Sequence, residues 1–207
     1  MARAQKVAMP APPPPEPADQ RLMLYGVTWG QYQALRTALD EKPGVRLTYL
    51  EGVLEMMTPS RRHEHLKKFI ARLVEAYADE RRIVLLGFGS ETYRKEAAER
   101  GLEPDECYCV GDEKDLPDFA LEVITTSGGV DKLAVYQGLG VPEVWFWVDP
   151  RFQVYGLEAG EYQPRERSRF LPDLDLHRLA EIVAATPRAE QAEAVWRFRQ
   201  TLQARPQ

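Results

Sequence analysis

Residues 117–124 read PDFALEVI, and residues 141–149 read VPEVWFWVD. Both runs are mostly apolar over the length of a strand, which is typical of buried β-strands. Between them, residues 125–129 predict a turn and residues 130–139 predict a helix, which Gly140 is suited to cap. This order predicts a right-handed crossover that joins two parallel strands.

Three charged residues of this region suggest chemistry. Asp105 follows a proline at the start of a predicted strand. Glu122 lies between two apolar residues of the next strand, where an unpaired carboxylate is costly, so a functional role is favoured over a structural ion pair. Lys132 opens the predicted helix, where, like Asp131, it could also be only a helix-start charge. Two carboxylates can hold a hard cation and a lysine can face a phosphate, so these residues predict a site for a divalent metal and an anionic substrate.

The pattern on either side of this region predicts further strands and helices. Residues 28–31 fit a capping box before a helix that ends near residue 39, and residues 51–52 fit the turn of a hairpin. Strands are predicted at 45–50, 53–57, 81–87, 91–94, 105–110, 152–157 and 162–170. Helices are predicted at 176–184, at 190–202 and from Pro59, for which Thr58 fits an N-cap. The order predicts a mixed α/β (α+β) fold in which one central mixed β-sheet is flanked by helices.

The chain has 207 residues, of which 44% are hydrophobic and 29% are charged, as expected for one globular domain at residues 21–207. Residues 1–20 are rich in proline and alanine and predict a disordered tail, with a proline-rich docking peptide as the alternative. No run reaches the length of a membrane span and none resembles a secretory signal, so no membrane partner is expected.

The cysteines and the net charge indicate the compartment of the protein and the way in which it could bind nucleic acid. Cys107 and Cys109 are too few and too close for a disulfide framework or a zinc site, which indicates a reducing cytoplasm. The net charge is −5, so nucleic acid would have to be bound through a local basic patch or a metal.

The motifs in their order resemble the Uma-two family of bacterial restriction-endonuclease-like proteins, part of the PD-(D/E)XK nuclease superfamily. The resemblance covers residues 28–182. It rests on YLEGVLEMM at 49–57 with Pro59 and His63, on EPDEC at 103–107, on Pro117-Asp118 with Glu122-Val123, on Asp131-Lys132 and Tyr136, and on GVPEVW at 140–145.

The resemblance implies a restriction-endonuclease-like core, a magnesium-like metal and phosphodiester hydrolysis. Asp105 matches the first acid of the family pattern and Glu122 matches the acid of the E-x-K element. The position two residues after Glu122 is Ile124 rather than lysine. The lysine looks to have moved to the following helix, where Lys132 stands.

Four further residues are candidates for accessory roles. Glu64 and His63 are on the helix after Pro59, which is expected beside the sheet, so either could contact the site. For His63 a surface or capping role is favoured, with a place at the site as the alternative. Glu51 in the hairpin could approach from the other side. Asp118 is favoured as a turn residue, with a place at the mouth of the site as the alternative. A cluster of basic residues could contact phosphates or form a solvated helix face: Arg61, Arg62, Lys67 and Lys68.

The leading hypothesis is an endonuclease that hydrolyses DNA with Mg²⁺ or Mn²⁺ held by Asp105 and Glu122 and with Lys132 as the catalytic lysine. The displaced lysine and the acidic net charge motivate an alternative, a catalytically inactive nuclease-fold protein that binds nucleic acid or a protein partner. Hydrolysis of another phosphate ester is a third hypothesis. A symmetric homodimer is also expected for double-strand cutting, which needs two sites.

Overall fold

The computed structural model describes residues 18–39, 44–89 and 91–203. Its strands are β1 (Gln20–Tyr25), β2 (Arg46–Leu50), β3 (Val53–Thr58), β4 (Leu85–Gly87), β5 (Tyr93–Lys95), β6 (Arg100–Leu102), β7 (Glu106–Val110), β8 (Phe119–Ile124), β9 (Glu143–Val148), β10 (Arg151–Glu158) and β11 (Glu161–Arg165). Its α-helices are α1 (Trp29–Leu39), α2 (Arg61–Arg81), α3 (Lys132–Leu139), α4 (Leu176–Ala185) and α5 (Gln191–Gln203).

A six-stranded mixed sheet with the order β11-β10-β9-β8-β7-β4 is the centre of the fold. Its pairs are antiparallel except for β8 and β9, which run parallel. The crossover through α3 joins these two strands, so the predicted strand–helix–strand unit is confirmed. The fold class, a mixed sheet flanked by helices, is also confirmed.

The remaining strands form a second sheet, so the expectation of one sheet is wrong. This five-stranded sheet has the order β1-β3-β2-β6-β5 and is antiparallel throughout. Its centre is the predicted β2–β3 hairpin, whose turn residues Glu51 and Gly52 both have positive φ, at 44° and 89°. Periodicity predicts that a strand exists but does not say which strand it pairs with, and β1 and β6 were not predicted.

The two faces of the six-stranded sheet contact different layers. Leu121 and Val123 of β8 join a large apolar core with residues of α2, α4 and α5. Ala120, on the opposite face, packs against Tyr136 of α3 in a second core. Because side chains alternate along a strand, Glu122 lies on the same face as Ala120 and therefore points toward α3.

Two local predictions need correction. The tail was predicted to include Asp19 and Gln20, but Gln20 begins β1 and Asp19 is 8% exposed, because backbone and side-chain donors bind its carboxylate. Residues 1–17 lie outside the described residues. The long helix is capped by Ser60 rather than Thr58, since β3 continues through Thr58.

Three predicted strands have other bounds. The strand at 81–87 begins only at Leu85, because α2 runs to Arg81. The predicted strand at 162–170 ends at Arg165 as β11. The strand predicted at 91–94 is β5. Within the described ranges, no helix is both long enough and apolar enough to cross a membrane.

Candidate active site

Asp105 and Glu122 lie opposite each other at the β7–β8 strand pair. Glu106 pairs with Leu121 in this antiparallel ladder, which puts the preceding Asp105 beside Glu122. Both residues are 0% exposed. Two buried carboxylates side by side repel each other, so both depend on nearby donors and cations.

Glu122 is held by two residues of α3. The Lys132 ammonium donates to Oε2 at 2.5 Å, and the Tyr136 hydroxyl donates to Oε1 at 2.5 Å. Lys132 and Tyr136 are four residues apart and so lie on one face of the helix. Asp131 is the N-cap of α3, where its carboxylate accepts from the Ala134 N–H at 3.1 Å. The helix start thus aims Lys132 at Glu122.

Asp105 accepts hydrogen bonds from three other elements. The Val123 N–H of β8 donates to Oδ2 at 2.7 Å. His63 Nε2 of α2 lies 2.9 Å from Oδ1, and the Arg46 guanidinium of β2 donates to the same oxygen. Arg46 also reaches Glu64 Oε1, at 3.0 Å, and so bridges two carboxylates.

His63 links Asp105 to a third buried acid. Its Nδ1 lies 3.1 Å from Asp19 Oδ2, so both ring nitrogens face carboxylates and the doubly protonated imidazolium is favoured. Asp19 also accepts from the Ser60 N–H at 2.7 Å and from the Thr125 hydroxyl. We call the set Asp19, Arg46, His63, Asp105, Glu122 and Lys132 the acid cluster.

The charges of the acid cluster shift its titration. Burial alone would raise the pKa of Asp105, but the His63 hydrogen bond and the charges of Lys132, His63 and Arg46 hold it well below its usual range. Burial raises the pKa of Glu122; Lys132 opposes this rise and Asp105 adds to it. Burial lowers the pKa of Lys132, but the carboxylates of Glu122 and Asp105 raise it by more. The net pKa is above the ordinary value, so the lysine stays charged.

The pKa of His63, like that of Lys132, is raised above its ordinary value. Burial lowers its pKa, while the hydrogen bond to Asp105 and the charges of Asp105 and Asp19 raise it above the ordinary value. The imidazolium therefore helps to keep Asp105 ionised.

The accessory candidates separate into two groups. Glu64 contacts the acid cluster through its hydrogen bond from Arg46. Glu51 instead lies in the β2–β3 turn, where it pairs with Arg100 at 2.9 Å. Asp118 is 7% exposed and accepts from the Val110 N–H at 2.7 Å, so it holds the β7–β8 loop.

Three of the four residues of the predicted basic cluster are exposed and one is buried. Arg61, Arg62 and Lys68 are exposed on the first turns of α2, next to His63. Arg62 pairs with Asp149 at 2.9 Å, and Lys68 pairs with Glu106 at 2.7 Å. Lys67 is 5% exposed and lies 2.8 Å from Glu64, so it belongs to the interior rather than to the exposed face.

Arg46 and Asp19 were missed by sequence reasoning. Arg46 looks like an ordinary strand residue, and Asp19 follows a proline run that suggested disorder. Tyr136 did carry a signal, since it stands one helical turn after Lys132 and therefore on the same face.

The carboxylates of Asp105 and Glu122 suit a divalent metal, but cations of the protein already contact their oxygens. Two adjacent carboxylates are enough for Mg²⁺, which keeps several waters and uses one or two acidic ligands. Arg46, His63 and Lys132 contact the oxygens that would bind it. No group of three or more histidine, cysteine or acidic residues arranged to hold a metal ion occurs in the part of the chain that the structure describes.

A mixed sheet flanked by helices is the fold expected of a restriction-endonuclease-like protein. The family model "Uma2: Putative restriction endonuclease" matches residues 29–186. The chain therefore belongs to the Uma2 family, as the resemblance implied, and its expected activity is nuclease-like. A comparison with curated proteins finds no match.

Proposed function

We propose that the protein is a metal-dependent endonuclease that hydrolyses phosphodiester bonds of DNA. In this proposal Asp105 and Glu122 hold Mg²⁺ or Mn²⁺, and Lys132 is the catalytic lysine. The observation that carries the proposal is the 2.5 Å contact between Lys132 and Glu122. A lysine on α3 thus reaches the acid of a strand that lacks the usual lysine two residues later.

Each residue has a role that follows from its charge. A divalent cation at Asp105 and Glu122 would polarise a phosphoryl oxygen and lower the pKa of a bound water. Lys132 keeps its proton and places positive charge where a phosphate gains negative charge in the transition state. Arg46 and His63 keep Asp105 ionised and fix its orientation. Burial strengthens each of these interactions, because charges interact more strongly away from water.

The path of DNA to this site is proposed from the exposed arginines. Arg61 and Arg62 lie within two residues of His63, which contacts Asp105. With a net charge of −5, the protein needs such a local patch to attract a phosphate backbone. A symmetric homodimer would supply one site for each strand of a duplex.

Cleavage of supercoiled plasmid in Mg²⁺ and in Mn²⁺ tests the proposal. The parent protein is compared with Asp105→Asn and Glu122→Gln, and with Asp118→Asn as a matched control in a neighbouring loop. We expect nicking by the parent and by the control, and at least about 100-fold less by the two site variants. Cleavage that survives both site variants, or no cleavage by well-folded parent protein in either metal, would contradict the proposal.

A second candidate is a nuclease-fold protein that binds DNA without cutting it. The observation that favours it is the occupation of Asp105 Oδ1 by both Arg46 and His63. These cations neutralise the acid without any metal. This candidate predicts DNA binding that a chelator does not change, together with no cleavage in either metal.

A further inference from the structure

A pocket of about 310 Å³ opens beside Lys132. It lies at the carboxyl ends of the parallel strands β8 and β9, and residues of β10 form its opposite wall. The residues that matter here are Arg21, Ser127, Lys132, Phe146, Gln153 and Tyr155, all of which line it.

Lys132 and the strand register connect this pocket to the acid cluster. Glu122 pairs with Phe146 of β9, and Phe146 pairs with Gln153 of β10. The three side chains therefore form a row across one face of the sheet. Lys132 contacts Glu122 and also lines the pocket, so a group in the pocket would lie next to a phosphate at the acid cluster.

Aromatic side chains form the β9–β10 wall. The Phe146 and Tyr155 rings have centroids 5.9 Å apart at an interplanar angle of 76°. Both side chains are half-buried, so part of their ring surface faces the pocket. Exposed ring surface of this kind is what nucleobases stack on.

Polar groups border the same wall. The Tyr155 hydroxyl donates to Gln153 Oε1 at 3.3 Å, which leaves the amide NH₂ of Gln153 to donate to a base edge. Arg21 adds positive charge, although Glu55 lies 3.8 Å from its guanidinium, and Asp131 also borders the pocket.

The loop on the other side of the pocket packs closely against the Arg21–Glu55 ion pair. Residues 128–129 are glycines, and a Cβ on Gly129 would come within 2.3 Å of Arg21 Nη1 and 2.4 Å of Glu55 Oε2. Gly129 thus lets the loop lie close to the Arg21–Glu55 ion pair, and a side chain there would require the ends of Arg21 and Glu55 to shift.

We propose that this pocket binds one unstacked nucleobase of the substrate, beside the phosphodiester bond that is cut. A base inside a duplex is stacked on both sides and must leave the stack to enter such a pocket. The substrate is therefore nucleic acid in which one base next to the cleaved bond is unstacked, either in a single strand or after it leaves a duplex. This inference rests on the proposed function, because it assumes that nucleic acid reaches the acid cluster.

Fluorescence anisotropy with three labelled DNA duplexes tests it, in chelator so that no strand is cut. One duplex carries a single bulged adenine, the second carries an abasic residue at the bulge, and the third is fully paired. We expect the parent protein to bind the bulged adenine roughly tenfold more tightly than the abasic bulge, as base stacking on an aromatic ring predicts.

Two variants remove the pocket in different ways. Tyr155→Ala deletes the stacking ring, and Ser127→Leu places a bulky side chain without a ring in the pocket from an exposed position that lines it. Both should abolish the preference for the adenine and leave the affinity for the abasic bulge unchanged. Tyr155→Phe keeps the ring and should keep the preference, as should Tyr25→Ala, at a tyrosine that is 76% exposed on β1.

The outcomes separate this inference from the proposed function. If plasmid is still cut, two results would overturn the pocket assignment alone: no preference of the parent for the base, or an equal loss of affinity for both bulged duplexes in Tyr155→Ala and Ser127→Leu. No binding of any duplex and no cleavage would overturn both. The same probes made as RNA show whether the sugar matters to the pocket.

Discussion

Asp105 and Glu122 lie opposite each other, yet each has its own cation. Lys132 contacts Glu122, while Arg46 and His63 contact Asp105. Neither carboxylate is exposed, so the repulsion between them is offset inside the protein and not by water. The candidate site is therefore also a structural element whose charges must stay balanced.

Removal of Lys132 should reveal this balance as a loss of stability. Lys132→Met leaves Glu122 buried with only the Tyr136 hydroxyl, and breaking a buried ion pair costs about 3–5 kcal/mol. The double variant Glu122→Gln/Lys132→Met removes both charges and should recover most of the loss. Urea denaturation measures each free energy of unfolding. Additive effects in the double variant would show that the two residues are not coupled.

Asp19 should stabilise the protein in a pH-dependent way. Burial raises its pKa, but the Thr125 and Ser60 hydrogen bonds and the His63 charge lower it below the ordinary 3.8. A lowered pKa in the folded state gives stability that is present above pH 3.8 and is lost as the pH falls through the folded value. Asp19→Asn should therefore cost about 2 kcal/mol at neutral pH.

The difference between Asp19→Asn and the parent should shrink in acid. Unfolding curves at neutral pH and below the ordinary pKa of aspartate provide the comparison. A difference that stays constant, or that grows as the pH falls, would contradict the assigned hydrogen bonds.

Arg61 and Lys67 should affect DNA binding differently, although both belong to the predicted basic cluster. Arg61 is exposed, whereas Lys67 is buried against Glu64. Arg61→Gln should weaken binding to all sequences alike and reduce the salt slope of log K by about one. Lys67→Gln should leave the slope unchanged. An equal change in slope for both variants would show that the burial of Lys67 does not matter for DNA.

The two cysteines should be unreactive in the native protein. Both are buried, and burial raises the pKa of the Cys107 thiol to about 12. Because the thiolate is the reactive form, a disulfide reagent should modify them at neutral pH only as fast as the protein unfolds. Thiol release is followed by absorbance with and without guanidinium. Rapid reaction of folded protein would contradict the packing around β7.

The sequence predicted the β8–α3–β9 unit well because its signals agree. Both strands are mostly apolar, with one glutamate each at Glu122 and Glu143, and the helix has an N-cap at Asp131 and a C-cap at Gly140, whose φ is 90°. The capping box also appears as predicted, with the Thr28 N–H donating to Gln31 Oε1 at 2.8 Å. Local signals of this kind do not depend on distant partners.

The second sheet and part of the acid cluster could not be predicted, because both depend on contacts between residues that are far apart in the sequence. β6 has three residues, too few for a periodic pattern, and β1 is stabilised by pairing with β3 rather than by its own sequence. Arg46 stands 59 positions before Asp105. Only the folded sheets bring it to the carboxylate, and the residues around Arg46 carry no local signal of such a contact.

Manganese binding measured by calorimetry tests most directly whether Asp105 and Glu122 hold a divalent cation. The titrations use the parent protein, Asp105→Asn, Glu122→Gln and the Asp118→Asn control, each checked for folding by circular dichroism. We predict saturable binding by the parent and the control, and its loss in both site variants. Binding that persists in Asp105→Asn and Glu122→Gln, or no binding by the folded parent, would contradict the assignment of the metal to these two acids.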